Sequence, residues 1–182
     1  MKIEIKGMDE LLQKLERLEQ ALTPALEKAM KPAIKLTQAQ AKVLCPEDTG
    51  QLYNSISTEV EVEGDIVRGI VAANNDHAAY AEFGTGPEGA RNHEGISPNV
   101  EIIYKSKAWW IPEGENGIDR KTAEKYGFFC KEFNGKRFYR TDGQPAKPFM
   151  YPAIQQTKKG VVKLLGDGLA KEIRRIVNNG ES

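Results

Sequence analysis

The segment from Asp9 to Cys45 constrains the fold most. After Asp9, a residue suited to cap a helix, Leu11, Leu12, Leu15, Leu18 and Leu22 recur at helical spacing. Thr23-Pro24 interrupts that pattern. Thr is favoured at an N-cap and Pro at the first helical position, so a second helical segment is predicted to begin there. Leu26, Ala29, Ala33, Ile34, Thr37 and Ala41 continue an apolar stripe rich in small residues, which let another element pack closely. Pro32 lies inside this stretch and is expected to kink it. Pro46 should stop the helix at or before Cys45.

Ahead of this segment, Ile3 and Ile5 alternate with polar residues and suggest a short strand. Behind it, residues 46–50 form a turn cluster in which Asp48 or Thr49 could cap a short helical turn through Leu52. Ile56, Thr58, Val60 and Val62 then alternate with polar residues, Gly64-Asp65 is a tight-turn pair, and residues 66–72 read as the returning strand of a hairpin. From about Gly84 to Gly143 the composition shifts to Gly, Pro, Asn, Lys and Glu, with strand-like islands at 100–104, 109–111 and 128–133. Asn134-Gly135 is a strong hairpin turn, and residues 119–126 suit one short helix ended by Gly127. A structureless loop of this length is uncommon in a compact domain, so residues 86–143 read as an inserted decoration with its own hairpins. Pro148 and Pro152 bracket the start of a last helix, whose apolar face is expected to be Ile154, Val161, Leu165, Leu169, Ile173 and Ile176. Gly160, Gly166 and Gly168 weaken that helix, and the tail after Asn178 should fray. The expected architecture is one α+β domain over 1–182. An antiparallel sheet packs against a long N-terminal helix and a C-terminal helix, with a β-hairpin-rich insertion.

A chain of 182 residues can bury most of its apolar surface without disulfides or metal, and its two cysteines make no disulfide framework. Lys plus Arg and Asp plus Glu are both 26, and a chain of zero net charge argues against duplex DNA as the main partner. The first ten residues lack the apolar core of a signal peptide, and no apolar run approaches the roughly 20 residues that span a bilayer. Synthesis in a reducing cytoplasm and no membrane partner are expected.

No constellation of residues makes a persuasive catalytic centre. Residues 84–89 match G-x-G-x-x-G, but Pro87 removes an amide that a pyrophosphate would need, and no second βαβ unit follows. A hinge into the insertion is the better reading. His77 and His93, with Asp76 and Glu82, lack metal-ligand spacing. Cys45 has no base beside it and reads as a buried structural thiol. Glu59, Glu61 and Glu63 alternate along a strand and read as its solvated face. Neither a catalytic residue nor a cofactor or metal ligand is therefore assigned. Trp109 and Trp110 should point to opposite faces of a strand, with Lys105, Lys107, Arg137 and Arg140 close in sequence. Such residues suit a protein interface, single-stranded nucleic acid, or packing within the insertion. The interface reading is preferred over nucleic acid, with Trp109, Trp110 and Arg137 as its candidates.

Three ordered segments then resemble a known family. The first comprises Pro46, Thr49, Gly50, Leu52, Ser55 and Ile56 after a long helix. The second is Tyr80, Ala81, Glu82, Phe83, Gly84, Thr85 and Gly86 after the hairpin. The third, opening the final helix, is Gly143, Gln144, Pro145, Pro148, Phe149, Pro152 and Ala153. Their order and spacing resemble the phage tail-component family of head–tail joining, or tail-completion, proteins of long-tailed phages. Tyr53 stands where a basic residue often follows the leucine, so no charge-based role is carried to it. The resemblance implies an α+β fold, no enzymatic activity and a ring, six copies by the symmetry usual for such tails, at the head-proximal end of the tail tube. It implies tail-tube and head-connector proteins as partners, no cofactor and no sequence-specific nucleic acid. It further implies assembly in the host cytoplasm and a final place in the virion tail or neck. Within the motifs, Tyr80 and Phe83 are expected to anchor a core edge, and the three prolines to fix entry to the last helix. A single-stranded nucleic-acid binder and a nucleotide-binding enzyme are the alternatives.

Overall fold

The computed structural model describes residues 8–46, 50–114 and 117–178. The strand expected at Ile3 and Ile5, the caps at Asp48 or Thr49, and the end of the tail lie outside them. The chain divides into two compact units. One runs to Asn75 and resumes at Pro152; the other is Asp76–Tyr151.

The first unit is built on α1 (Met8–Leu44), one continuous helix containing both Pro24 and Pro32. The break expected at Thr23-Pro24 does not occur. Each proline removes one intrahelical bond, at a cost of about 3 kcal/mol; burial holds the helix on both sides of Pro32 and on the C-terminal side of Pro24. Ala25, Ala29, Ala33, Ile34, Thr37 and Ala41 are all buried. The helix ends at Leu44, as Pro46 requires. Beyond its small-residue stripe α1 is less covered: Leu11, Leu12, Leu15 and Leu22 remain largely exposed.

Gly50 adopts a left-handed conformation (φ 73°) and turns the chain into α2 (Gln51–Ser55). There follows the hairpin β1 (Ile56–Glu63) and β2 (Ile66–Ala73), antiparallel, with Glu63 opposite Ile66 across the two-residue turn at Gly64-Asp65. Alternation decides which face is inside. Gly69 lies so close to α1 that a Cβ there would meet Ile34 Cγ2 at 2.3 Å, so Val60, opposite Gly69, shares the inward face. Glu59, Glu61 and Glu63 are exposed on the other face, the solvated face expected of them.

The long C-terminal helix α6 (Met150–Asn178) runs antiparallel to α1 in this unit. Thr37 and Thr157 share a hydrogen bond between hydroxyls at 2.8 Å, and Gln40 Nε2 donates to Gln156 Oε1 at 2.6 Å. A Cβ at Gly160 would meet Leu36 at 2.8 Å, and one at Gly168 would meet Ala29 Cβ at 2.6 Å. Those two glycines therefore serve the helix–helix approach rather than merely weakening α6. The expected apolar face shifts accordingly: Ala153 and Thr157 are buried, whereas Ile154 and Ile173 are exposed. Small residues bring two helices close, so the contact line follows Ala and Gly and leaves larger side chains at its margins.

The second unit holds α3 (Ala78–Phe83), α4 (Gly86–Arg91), β3 (Trp109–Pro112), α5 (Arg120–Lys125), β4 (Phe129–Phe133) and β5 (Lys136–Thr141). Its antiparallel sheet has the order β3-β5-β4. Asn134 (φ 50°) and Gly135 (φ 73°) make the β4–β5 turn with both central residues left-handed, as their sequence requires. Asp119 caps α5 by accepting the Thr122 amide at 3.0 Å, and hydrogen bonds from Thr122 hold its carboxyl below the usual carboxylate range. No strand forms at 100–104: Tyr104 instead donates its hydroxyl to the Phe83 carbonyl at 2.8 Å. The fold is thus α+β, with its strands divided between two antiparallel sheets.

Candidate functional site

The second and third sequence motifs meet inside the second unit, and Glu82 joins them. This buried carboxylate accepts the backbone amides of Phe149 (2.7 Å) and Met150 (2.9 Å) on Oε2, and of Tyr151 (3.0 Å) on Oε1. The first four amides of a helix have no intrahelical acceptor. For α6 those belong to residues 149–152, and Pro152 has no amide to satisfy. One carboxylate and one proline therefore complete the helix terminus. The negative charge also sits where the helix dipole favours it. Phe149 is fully buried beside this junction.

Backbone pairing knits the rest of the two motifs together. Thr85 donates to the Gln144 carbonyl (2.9 Å), and Gln144 donates back to Thr85 (3.2 Å). Lys147 donates to the Ala81 carbonyl at 2.8 Å, and the Gln144 side chain to that of Tyr80 at 2.9 Å. Gly84 (φ 73°) and Gly143 (φ 92°) are demanded by this approach. A Cβ at Gly84 would stand 2.7 Å from the Ala146 nitrogen, and one at Gly143 only 1.9 Å from the Thr85 carbonyl oxygen. The hinge expected at 84–89 is instead a tightly packed crossing that leads into α4. Its amides are occupied: Glu88 donates to Asp142 and Gly89 to Thr85, both at 2.9 Å. Those groups cannot also cradle a pyrophosphate. Tyr80, expected as a core anchor, is exposed; Phe83 is half-buried. Pro145 is exposed and Pro148 half-buried.

The first motif lies in the other unit. Gln38 Nε2 donates to the carbonyl of buried Ile56 at 2.7 Å, and Ser55 Oγ donates to the Leu52 carbonyl at 2.7 Å. Pro46 lies two residues beyond the end of α1, while Thr49 lies outside the described residues. Burial pushes the Cys45 thiol above its ordinary range, which suits a structural thiol.

The candidate interface residues separate. Trp110 pairs with Arg140, which pairs with Phe129, so these three share one face of the sheet. Trp109 and Arg137 lie on the other face. There Lys105 Nζ sits 4.8 Å over the Trp109 ring, and Arg137 lies 3.8 Å from Glu113. On the Trp110 face the rings pack together: Trp110 is tilted against Phe129 (6.0 Å) and edge to face with Phe133 (6.3 Å), as is Phe133 with Phe138 (6.0 Å). Sequence reasoning did not single out these phenylalanines, although their register follows from the Asn134-Gly135 turn. An open groove of about 810 Å³ is lined by Arg91, Lys105, Lys107, Arg140 and Asp142 among others. The histidines pack against tyrosines: His77 against Tyr80 at 6.2 Å and His93 against Tyr104 at 6.0 Å. Among the described residues, no group of three or more His, Cys, Asp or Glu is placed to hold a metal ion, and no helix is long and apolar enough to cross a membrane.

No curated protein and no solved structure matches this chain. Residues 9–84 match the model of a family described as HK97-gp10-like, "Bacteriophage HK97-gp10, putative tail-component". The matched span contains α1, the first motif, the hairpin and the second motif as far as Gly84. This match supports a phage tail-component family for the chain.

Proposed function

We propose that this protein is a non-enzymatic tail-completion part. It acts as a ring of six copies at the head-proximal end of the tail, between tail-tube and head-connector proteins, after assembly in the host cytoplasm. The observation that carries the reading is the junction made by Glu82. Glu82 and Phe149, 67 residues apart in sequence, tie two of the motif segments together through one satisfied buried carboxylate. Its oxygens accept amides of its own chain and are not left open for chemistry. The carboxylate thus serves architecture. The family match over residues 9–84 adds a structural class of protein.

The test is deletion of the gene in a phage that carries it, with electron microscopy of the lysate. Filled heads and tails that do not join, or tails of abnormal length, are expected. Normal infectious particles would sink the reading. A second reading, binding of single-stranded nucleic acid, is favoured by the cations Arg91, Lys105, Lys107 and Arg140 around the groove. Titration of a labelled oligonucleotide at several salt concentrations separates the two. Salt-dependent binding would favour the second reading, and none is expected.

A further inference from the structure

We propose that successive copies in the ring meet through two specific faces of unlike chemistry: the Trp110 face of the β3-β5-β4 sheet on one copy, and the outward face of the β1-β2 hairpin on the next. The inference rests on the ring reading above and names the surfaces that reading requires. A cyclic ring needs a heterologous contact, in which two different patches of each copy meet.

The first face is aromatic and cationic. Trp110, Phe129 and Phe133 are 40%, 64% and 47% exposed, a large apolar area to leave in water. Register places Lys131, opposite Phe138, and Lys136, opposite Phe133, on the same side. Arg140 shares this side but lies 3.7 Å from Asp142, so the two lysines carry most of its free charge. None of the strand residues on this face is acidic. The second face is aliphatic and acidic. Glu59, Glu61 and Glu63 stand beside Ile70, Arg68 and Ile66, and Ile66 is 55% exposed. Arg68 is tied to Glu63 at 2.7 Å, which leaves Glu59 and Glu61 as free acids. Each face thus offers an apolar patch with two uncompensated charges, and the charges are opposite.

The ring arrangement favours a protein partner over bases. Stacking needs open ring faces. Here the aromatic rings pack against one another, Trp110 tilted on Phe129 and edge to face with Phe133, and Lys131 Nζ covers the Phe133 ring at 4.8 Å. Complementary charges add specificity and orientation more than affinity, which suits a contact completed only on a tail end.

Charge reversal tests this in the phage. Lys131→Glu with Lys136→Glu, and separately Glu59→Lys with Glu61→Lys, should each reduce infectious particles at least about tenfold, because like charges then face each other. All four substitutions in one chain should restore assembly, since the faces are again opposite. Circular dichroism and thermal melting of each purified variant check folding, which these exposed positions should leave intact. Zero-length amine–carboxylate crosslinking of purified virions should join Lys131 or Lys136 of one copy to Glu59 or Glu61 of the next. Single-face variants that assemble normally, or a folded fourfold variant that does not, would overturn the proposal. Oligonucleotide binding lost only on reversal of the lysines would overturn it too, by assigning that face to nucleic acid. If gene deletion stops assembly while these variants behave as wild type, the ring reading survives and this interface does not.

Discussion

The Glu82 carboxylate takes the Phe149 amide at 2.7 Å, across 67 residues of chain, and in doing so begins the longest helix of the C-terminal half. It acts as an N-cap supplied from a distant element. Neither residue can be changed without leaving buried polar groups or a cavity at the same junction.

Replacing Glu82 by Ala should therefore destabilise the second unit by about 3 kcal/mol, since three amides lose their acceptor and each buried one costs about 1–3 kcal/mol. Glu82→Gln keeps one acceptor oxygen but turns an NH2 group toward backbone donors, and should be intermediate. Urea unfolding followed by Trp fluorescence reads this unit, because both tryptophans belong to it. Equal stability of all three proteins would remove the carboxylate from the architecture.

Two glycines should respond in opposite directions. Gly143→Ala forces a Cβ into the Thr85 carbonyl at a positive φ and should cost at least about 2 kcal/mol. Gly166→Ala, in α6 with open space around the new Cβ, should stabilise by about 0.5–1 kcal/mol. Thermal melts of the two variants beside the parent settle both signs.

Excision of residues 86–143 should leave a folded core. Thr85 and Gln144 already pair by two backbone hydrogen bonds, so a short Gly-Ser linker needs to span little distance. Glu82 and the amides of 149–151 that donate to it survive the cut. Far-ultraviolet circular dichroism should keep its helical signal and melt cooperatively. Loss of cooperativity would mean that the excised strands belong to the core.

The Tyr139 hydroxyl donates to Glu113 Oε2 at 2.7 Å, and this bond, with burial, pushes the phenol from 10 up to about 12. The unfolded chain then ionises first. The stabilisation is fully present below pH 10 and is lost as pH rises through about 12. A phenolate absorbance titration should show a late step that Tyr139→Phe removes. An unchanged curve in the variant would mean that the hydrogen bond does not hold in solution.

Sequence alone determined the elements whose signals lie within a few residues of one another. Pro46 ends α1, Gly64-Asp65 and Asn134-Gly135 turn the two hairpins, and Asp119 caps α5. Strand alternation already put Glu59, Glu61 and Glu63 on a solvated face, and the three ordered motifs pointed to the tail-component family that the match over residues 9–84 supports. Tertiary structure decided what depends on distant partners. It carried α1 through Pro24 and Pro32 by burying the small residues that follow Pro24 and flank Pro32. It turned the apparent hinge at 84–89 into a crossing with Gly143 that is too tight for a side chain at Gly84 or Gly143. It aimed Glu82 at an α6 terminus that no local pattern could indicate. Turn and cap energies act over a few bonds and can be read from neighbours. Packing and long-range hydrogen bonds arise only once the chain has brought remote residues together.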